Sequence, residues 1–550
     1  MTDDLPRGAL RLVPLGGLGE IGRNCLCLEQ SDGILVVDCG TSFPQEDVGI
    51  DVLHADFQWL LQRRHRVAGV FLTHGHEDHI GGLPFLLDEL DVPVWGPPHA
   101  LGLASRRLAE HGFAVEELPL HPALAGRHHE VGPFTVESIR VSHSICEASA
   151  LAIRTQAGLV LHTGDFNFDD APPDGEPIDV ERLQELGREG VALLLSDSTN
   201  TDTPVPVGNE RAVGDALEAL VLDAPRRVVI ALFASNIQRL LLVGQLAQRT
   251  GRKICLLGRS LQTQVDNARA VGRLHWPSSL LVDAETLQDR PPEEVLVLCG
   301  GTQAERNSAL RRLASGNSRW LQLEEGDLVI LSSRPIPGNE RPVAEMRCEL
   351  LRRKVRVVSR EQVPAIHASG HASRLEQRRM IELTRPRAFM PVHGTLHHLL
   401  GHAAVARELG VASVEVIEDG STLLFDGHRL LPGEPVPAGR IAIALGGEPI
   451  SDGELRQRYE LGRNGIATVS LVMNGSGEVS SPPLVTTRGV PGLDEDEGAR
   501  RAVAREVAIV LKHRRRYDED VEELVRRAAR REIVERSGVR PVVEVHVHRL

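Results

Sequence analysis

The stretch Thr73-His74-Gly75-His76-Glu77-Asp78-His79 constrains this chain more than any other. It places three histidines and an aspartate within six positions, directly after the apolar run Val70-Phe71-Leu72. A strand ending there sets all four side chains on the loop that follows. Imidazole together with carboxylate is the donor set of zinc and similar borderline divalent ions. Neither His-x-His nor Asp-His matches a single helical face, where neighbours recur every three or four residues. A loop instead splays His74 and His76 to one side and Asp78 and His79 to the other, an arrangement that favours two metal ions over one. The bland alternative is a histidine-rich surface loop. It is hard to reconcile with four donor side chains at a strand end, followed by the helix-like segment 80–87.

A chain of 550 residues has room for several domains. Its apolar fraction of 41% is enough for large cores. No apolar run reaches membrane-spanning length, and residues 1–7 lack the basic-then-apolar order of a signal peptide. A cytoplasmic protein without a membrane partner is therefore expected. The seven cysteines are scattered without a Cys-x-x-Cys pair, which suits reduced thiols rather than a disulfide framework. A net charge of −14 speaks to solubility and non-specific binding and leaves a local basic groove open. Lys253, Lys354 and Lys512 are the only lysines, so contacts to phosphate fall to the planar fork of arginine.

In chain order, the segment 16–22 has the loose spacing of a dinucleotide-binding turn. A strand at 24–28 follows it instead of a helix, so that reading fails its context. The glycines are expected to make a tight turn near a site. A buried strand at 34–37 ends at Asp38, expected to orient the histidine loop from behind, as ligating histidines require of a partner. Further strands end in polar residues: 134–141 at His143, 159–162 at Asp165, 191–196 at Asp197 and 388–392 at His393. An α/β scaffold collects a site this way along one edge of its sheets. From about 205 to 365 helices and strands alternate, which predicts a separate parallel-sheet domain. Its strand ends carry Phe233-Ala234-Ser235-Asn236, Cys299-Gly300-Gly301-Thr302-Gln303 and Ser332-Ser333-Arg334, small or polar groups suited to phosphate or to ordinary loops. Residues 431–440 read as a linker. The tail then reads as strand, hairpin around Asn474-Gly475, strand, two charged helices and a last strand, with Arg514-Arg515-Arg516 taken as a solvated run.

Together these motifs resemble the ribonuclease J family, bacterial members of the metallo-β-lactamase superfamily that carry a β-CASP insertion. The stretches that carry the resemblance are 15–24 (LGGLGEIGRN), 71–82 (FLTHGHEDHIGG), 162–166 (HTGDF), 194–200 (LLSDSTN), 233–236 (FASN), 335–340 (PIPGNE), 367–371 (HASGH) and 389–394 (FMPVHG). They span about residues 10 to 430, and the likeness continues more weakly in the tail. The fold implied is an α/β metallo-β-lactamase αββα sandwich with an inserted β-CASP α/β domain and a small C-terminal α+β domain. The implied boundaries are 1–207 and 367–430 for the sandwich, 208–366 for β-CASP, 431–445 for a linker and 446–550 for an oligomerisation domain.

The resemblance also implies residue roles. His74, His76 and His143 would hold one metal ion, Asp78, His79 and His393 the second, with Asp165 bridging. Asp78, Asp197 and His371 would be catalytic, His371 as proton donor or transition-state stabiliser. Phe233, Ala234 and Ser235 with His367, Ala368, Ser369, Gly370 and His371 would contact RNA. Two zinc ions per subunit are implied, with manganese as the alternative. Gly49 and Asp51 match part of a structural calcium site in some relatives, although the region around Leu445 lacks the matching acid. Two further departures are Thr395, where relatives have an acid, and the segment 299–306. The implied activity is 5′-to-3′ exoribonuclease with endonucleolytic cuts on single-stranded RNA bearing a 5′ monophosphate, in mRNA decay and rRNA maturation. Homodimers or tetramers, and a paralogue or RNA-decay complex as partner, are implied with it. Two other readings compete: a small-molecule hydrolase on the same scaffold, and a metal-free RNA-binding scaffold. The long insertion with His367 and His371 argues against the first, and the intact ligand set against the second.

Overall fold

A computed structural model describes residues 5–44, 48–205, 208–336, 338–475, 478–513 and 520–550. The chain divides into two compact units, one of residues 1–43 and 53–440, the other of 44–52 and 441–550.

The first unit contains two packed sheets. One has eight strands in the order Leu430–Pro432, Leu423–Phe425, Leu10–Gly16, Cys25–Gln30, Gly33–Val37, Val67–Phe71, Val94–Gly96 and Leu120–Pro122. The other has seven: His128–Val131, Phe134–Arg140, Ser149–Thr155, Gly158–His162, Val191–Asp197, Ala388–Val392 and Ser413–Val414. Side chains alternate across a strand, and the sequence uses this. Leu26 and Leu28 face inward, with Leu35, Val37 and Phe71, against Val136, Ile153, Leu193 and Met390 of the second sheet. Cys25, Cys27, Ile34 and Val36 face outward, under the helices Leu83–Glu89 and Pro98–Glu110. The second sheet's outer face packs on Val180–Glu189, Arg374–Thr384 and Leu396–Glu408. The result is the αββα sandwich expected.

The inserted sheet is parallel throughout, in the order Lys253–Leu257, Val295–Cys299, Val228–Ala231, Leu328–Leu331 and Arg356–Ser359. Its central strands are apolar at successive positions because both faces are covered. Val228 and Ile230 pack beneath Glu210–Leu222 and Ile237–Thr250, while Val229 and Ala231 pack beneath Ala309–Ser315 and Glu340–Arg352.

In the second unit one three-stranded sheet runs in the order Leu484–Arg488, Ile466–Met473 and Val542–Arg549. Ile466–Met473 buries every second residue, and one face packs on Glu497–His513 and Val521–Ser537. Ile466–Met473 and Leu484–Arg488 pair antiparallel, as the hairpin reading required. The arginine run 514–516 lies outside the described residues.

Two boundaries differ from the reading of the sequence. The stretch expected as a linker begins on a strand, Leu430–Pro432, paired with Leu423–Phe425. Residues 44–52, placed by sequence in the first domain, group with the tail. The carbonyl oxygen of Gly49, matched above to a calcium site, accepts hydrogen bonds from Arg458 Nη1 at 3.0 Å and from Leu445 N. Asp51 is exposed and joins no cluster of metal-ligating side chains among the described residues. No helix among the described residues is long and apolar enough to cross a membrane.

Candidate active site

The polar residues that end these strands meet at one edge of the sandwich. The loop after Val67–Phe71 delivers His74 and His76 and then makes one helical turn, Glu77–Ile80, that carries Asp78 and His79. This turn needs a close neighbour without a side chain: a Cβ on Gly40 would lie 1.7 Å from the carbonyl oxygen of Asp78. His143 follows Phe134–Arg140, Asp165 follows Gly158–His162, Asp197 closes Val191–Asp197, and His393 follows Ala388–Val392. His371 precedes Arg374–Thr384, whose start is set by a reciprocal capping box between Ser373 and Glu376. The glycine turn contributes as well: Leu18–Gly19 pairs with Gly394–Thr395, next to His393.

The donor atoms form two groups around one oxygen. His76 Nδ1 lies 3.0 Å from His74 Nε2 and 3.1 Å from His143 Nε2. Asp78 Oδ2 lies 3.3 Å from His393 Nε2 and 3.7 Å from His79 Nε2. Asp165 Oδ2 sits between the groups, 3.6 Å from His74 Nε2, 3.7 Å from His143 Nε2, 3.3 Å from His79 Nε2 and 3.9 Å from His393 Nε2.

Hydrogen bonding fixes which nitrogens carry lone pairs. His143 Nδ1 donates to the Gly370 carbonyl at 2.7 Å, and His79 Nδ1 to Asp38 Oδ2 at 2.8 Å. The Thr73 hydroxyl donates to Asp38 Oδ2 at 2.8 Å, so it accepts from His74 Nδ1 at 3.0 Å. The Thr199 hydroxyl donates to Asp197 Oδ1 at 2.7 Å, so it accepts from His393 Nδ1. In all four rings Nε2 is left as the inward lone pair. His76 is reversed, with Nδ1 inward and Nε2 3.0 Å from Ser235 Oγ. Nitrogens around a tetrahedral zinc lie about 3.3 Å apart, close to the separations here. The residues fit divalent metal ions.

Electrostatics agree. Burial pushes His74 well below its ordinary value, His76 down to about 3 and His143 down to about 4. These three are neutral at pH 7, as metal ligation requires. Burial alone would raise Asp165, but His393, His79 and His371 hold it well below the usual carboxylate range. Burial opposes charge on His79 and His393 too, yet Asp165 and its neighbours drive both upward. The carboxylates call for positive charge, which protons on these rings or a bound cation can supply.

Comparison with known proteins narrows the family. The metallo-beta-lactamase superfamily model matches residues 18–229. The model of the ribonuclease J beta-CASP domain matches 225–350, that of the Zn-dependent metallo-hydrolase RNA specificity domain 356–417, and that of the ribonuclease J C-terminal domain 453–550. Ribonuclease J 1 of Streptococcus pyogenes is 34% identical over 549 residues, 96% of each chain. The chain belongs to the ribonuclease J family. Ribonuclease J of Mycobacterium tuberculosis is 37% identical over 513 residues, 92% of this chain and 90% of its own. Ribonuclease J of Helicobacter pylori is 39% identical over 417 residues, 75% of this chain, and the match spans 60% of that protein's length. A crystal structure of an Enterococcus faecalis protein of unknown function aligns over its whole length with 79% of this chain, at TM-score 0.52 and 17% identity, a likeness of fold.

In this ribonuclease J-family chain, the residues expected at the RNA divide by role. Ser235 touches His76, and Phe233 lies 6.4 Å, ring to ring, from His367. Ala234 is half-buried beside them. Ala368 is buried, and Ser369 Oγ accepts from Asn200 Nδ2 at 3.2 Å and from His371 N, so both serve the loop's own structure. Gly370 acts through its backbone. A Cβ there would stand 2.8 Å from the His143 ring, so glycine is what lets the carbonyl reach Nδ1. Asp38 lies where expected, and its Oδ1 also accepts from Thr73 N at 2.7 Å.

Sequence reasoning passed over several residues. Thr199 links His393 to Asp197, and Asn24 Nδ2 lies 3.1 Å from His79 Nε2; both stood in quoted motifs without a role. Arg239, fully buried, pairs with Glu210 at 2.7 Å and donates to the Ser332 carbonyl at 2.6 Å, with Nη1 3.3 Å from His367 Nδ1. It ties together the loops after Val228–Ala231 and Leu328–Leu331 with residues 367–368. Burial and the cations of Arg239, Arg334 and Arg360 push His367 well below its ordinary value. Neither Arg334 nor Arg360 forms an ion pair with a carboxylate among the described residues. In the divergent segment 299–306, Gln303 holds the Arg334 loop through the carbonyl of Arg334 and the amide of Ile336.

Proposed function

We propose that this chain is a metal-dependent ribonuclease that degrades single-stranded RNA from its 5′ end, with internal cuts as a second mode. The single observation that carries the reading is Asp165 Oδ2, one carboxylate oxygen around which two groups of ligand nitrogens gather. His74, His76 and His143 would hold one ion and Asp78, His79 and His393 the other, with Asp165 between; zinc suits the donors, and manganese is the alternative. Such ions supply a lowered proton affinity for water and positive charge for the phosphate oxygens.

The chain's own residues do the rest. Asp38, Thr73, Thr199 and Gly370 hold the imidazoles in one tautomer, so ligand geometry precedes substrate. His371 stands at the same edge with Nδ1 2.9 Å from Asp197 Oδ2, and it would pass a proton to the leaving oxygen as the P–O bond breaks. The Phe233–Ser235 loop and His367, on which the charges of Arg334 and Arg360 act, would receive phosphate. Guanidiniums without carboxylate partners are free to take a 5′-terminal phosphate as a bidentate acceptor. Family membership supports service in mRNA decay and rRNA maturation in the cytoplasm, and assembly as a dimer or tetramer through the tail, with or without a paralogue or decay complex.

The test uses RNA labelled at its 3′ end, with either a 5′ monophosphate or a 5′ triphosphate, on wild type and His76→Ala. Release of mononucleotides from the monophosphate RNA, slower loss of the triphosphate RNA and an inactive variant are expected. Equal internal cutting of both RNAs would make the enzyme chiefly an endonuclease. Failure to cut either with zinc or manganese present would overturn the reading. Competition with a DNA strand separates RNA from DNA specificity.

A further inference from the structure

The loop that carries His143 turns back into Ser149–Thr155 through Glu147, which adopts a left-handed backbone conformation, φ 61°. A non-glycine residue in that region carries strain that its surroundings must offset. The Glu147 side chain, 9% exposed, shows how. Its Oε2 accepts from the backbone N–H of His99 at 2.7 Å, in the first turn of Pro98–Glu110, and its Oε1 accepts from Arg273 Nε at 2.7 Å. Arg273 belongs to the inserted domain, in the turn that follows Arg259–Ala270, and its Nη1 also reaches Glu176 Oε1 at 3.1 Å. The helices behind these groups touch: Asn267 Nδ2 donates to the His99 carbonyl at 3.0 Å, and a Cβ on Gly102 would stand 2.1 Å from Asn267 Oδ1. One carboxylate thus joins the His143 loop, a sandwich helix and the inserted domain.

Resting on the ribonuclease reading above, we propose that Glu147 is a positioning residue for His143, and that Arg273 makes the placement of His143 depend on the seating of the inserted domain. His143 is held from two sides. Gly370 O fixes its ring on one, and four residues along the chain Glu147 fixes its backbone on the other. A cation from the inserted domain is needed because Glu147 is nearly dry. Without Arg273 the carboxylate keeps one backbone donor for a buried charge, and the strained turn can relax and carry His143 with it. The sequence separation of Glu147 and Arg273, 126 residues, makes this a coupling of two domains and not a local turn.

The test measures two quantities on the full-length protein: bound metal per chain during titration with a competing chelator, and kcat and KM on 5′-monophosphate RNA. For Arg273→Ala we expect one of two ions to be lost at lower chelator, with affinity for it and kcat both down about ten- to hundredfold and KM little changed. Arg273→Lys, which keeps the charge, recovers part of both. If Glu147→Gln fails to fold, the two Arg273 variants carry the test. A lower melting temperature alone, with chelator titration and kcat unchanged, would overturn the proposal and leave an ordinary domain bridge. A rise in KM alone would overturn it in favour of a direct RNA contact. A wild-type chain that binds no metal would instead sink the ribonuclease reading itself.

Discussion

His371 Nδ1 lies 2.9 Å from Asp197 Oδ2, and the same carboxylate's Oδ1 accepts from Thr199, which in turn receives His393. A carboxylate can only accept, so Nδ1 of His371 carries its proton, and Nε2 is the atom able to exchange one with substrate. Replacing His371 with alanine is expected to lower kcat by about 10²- to 10⁴-fold, the usual worth of a positioned acid. Asp197→Asn should cost less and leave RNA affinity near wild type. The double variant should be hardly slower than His371→Ala, because the two act as one unit. Additive losses in single-turnover assays would separate their roles.

His76 is the one ligand ring that presents Nδ1, and its Nε2 rests on Ser235 of the inserted domain. His76→Ala should therefore leave one of two metal ions bound, as read by metal analysis after gel filtration. Full chelation should abolish activity and lower the melting temperature, since ions that bind only the folded chain stabilise it. An unchanged melting temperature on chelation would mean that the cluster holds no ion.

The charges of Arg334 and Arg360 act on His367, and neither guanidinium pairs with a carboxylate among the described residues. Alanine at either is expected to raise KM for 5′-monophosphate RNA about tenfold or more, as charged hydrogen bonds of about 1.5–3 kcal/mol are lost. The rate on a bis-aryl phosphodiester, which has no 5′ end to hold, should not change. Equal losses on both substrates would place the arginines in folding.

Stability should fall as pH drops below 6.5. Burial pushes His402 down to about 3, and burial with Arg273 nearby pushes His99 down to about 4. In the unfolded chain both take up protons near pH 6.5. The unfolded state therefore binds more protons between pH 6.5 and these values, and stability declines by about 1.4 kcal/mol per pH unit for each histidine. The contribution is complete above pH 6.5. Urea unfolding from pH 7 to 4.5 measures the slope, and His402→Asn should make it shallower; an unchanged slope would mean that the ring is accessible to protons when folded.

Glu29 is fully buried between Arg11, at 2.9 Å, and Arg66. Glu29→Ala leaves two cations without their acid and should cost about 3–5 kcal/mol in denaturant melts. A loss under about 1 kcal/mol would mean that water reaches the pair, as at an exposed surface.

What the sequence by itself determined was local. An apolar run followed by polar donors places a strand and then a loop, so the positions of His74, His143, Asp165 and His393 at strand ends could be read from neighbours in the chain. The alternation of helix and strand marked the inserted sheet for the same reason. Tertiary structure decided the rest, because it sets distances between residues hundreds of positions apart. Seating of the inserted domain on the sandwich set Ser235 on His76 and Arg273 on Glu147, and folding of that domain brought Arg239 to His367. Residues 431–440 read as a linker because of their prolines and glycines, yet Leu430–Pro432 turns back onto Leu423–Phe425 across residues 426–429, a short hairpin whose second strand runs into that proline-rich stretch. Gly49 could be matched to a cation site by type, but only the folded chain shows that its carbonyl accepts from Arg458.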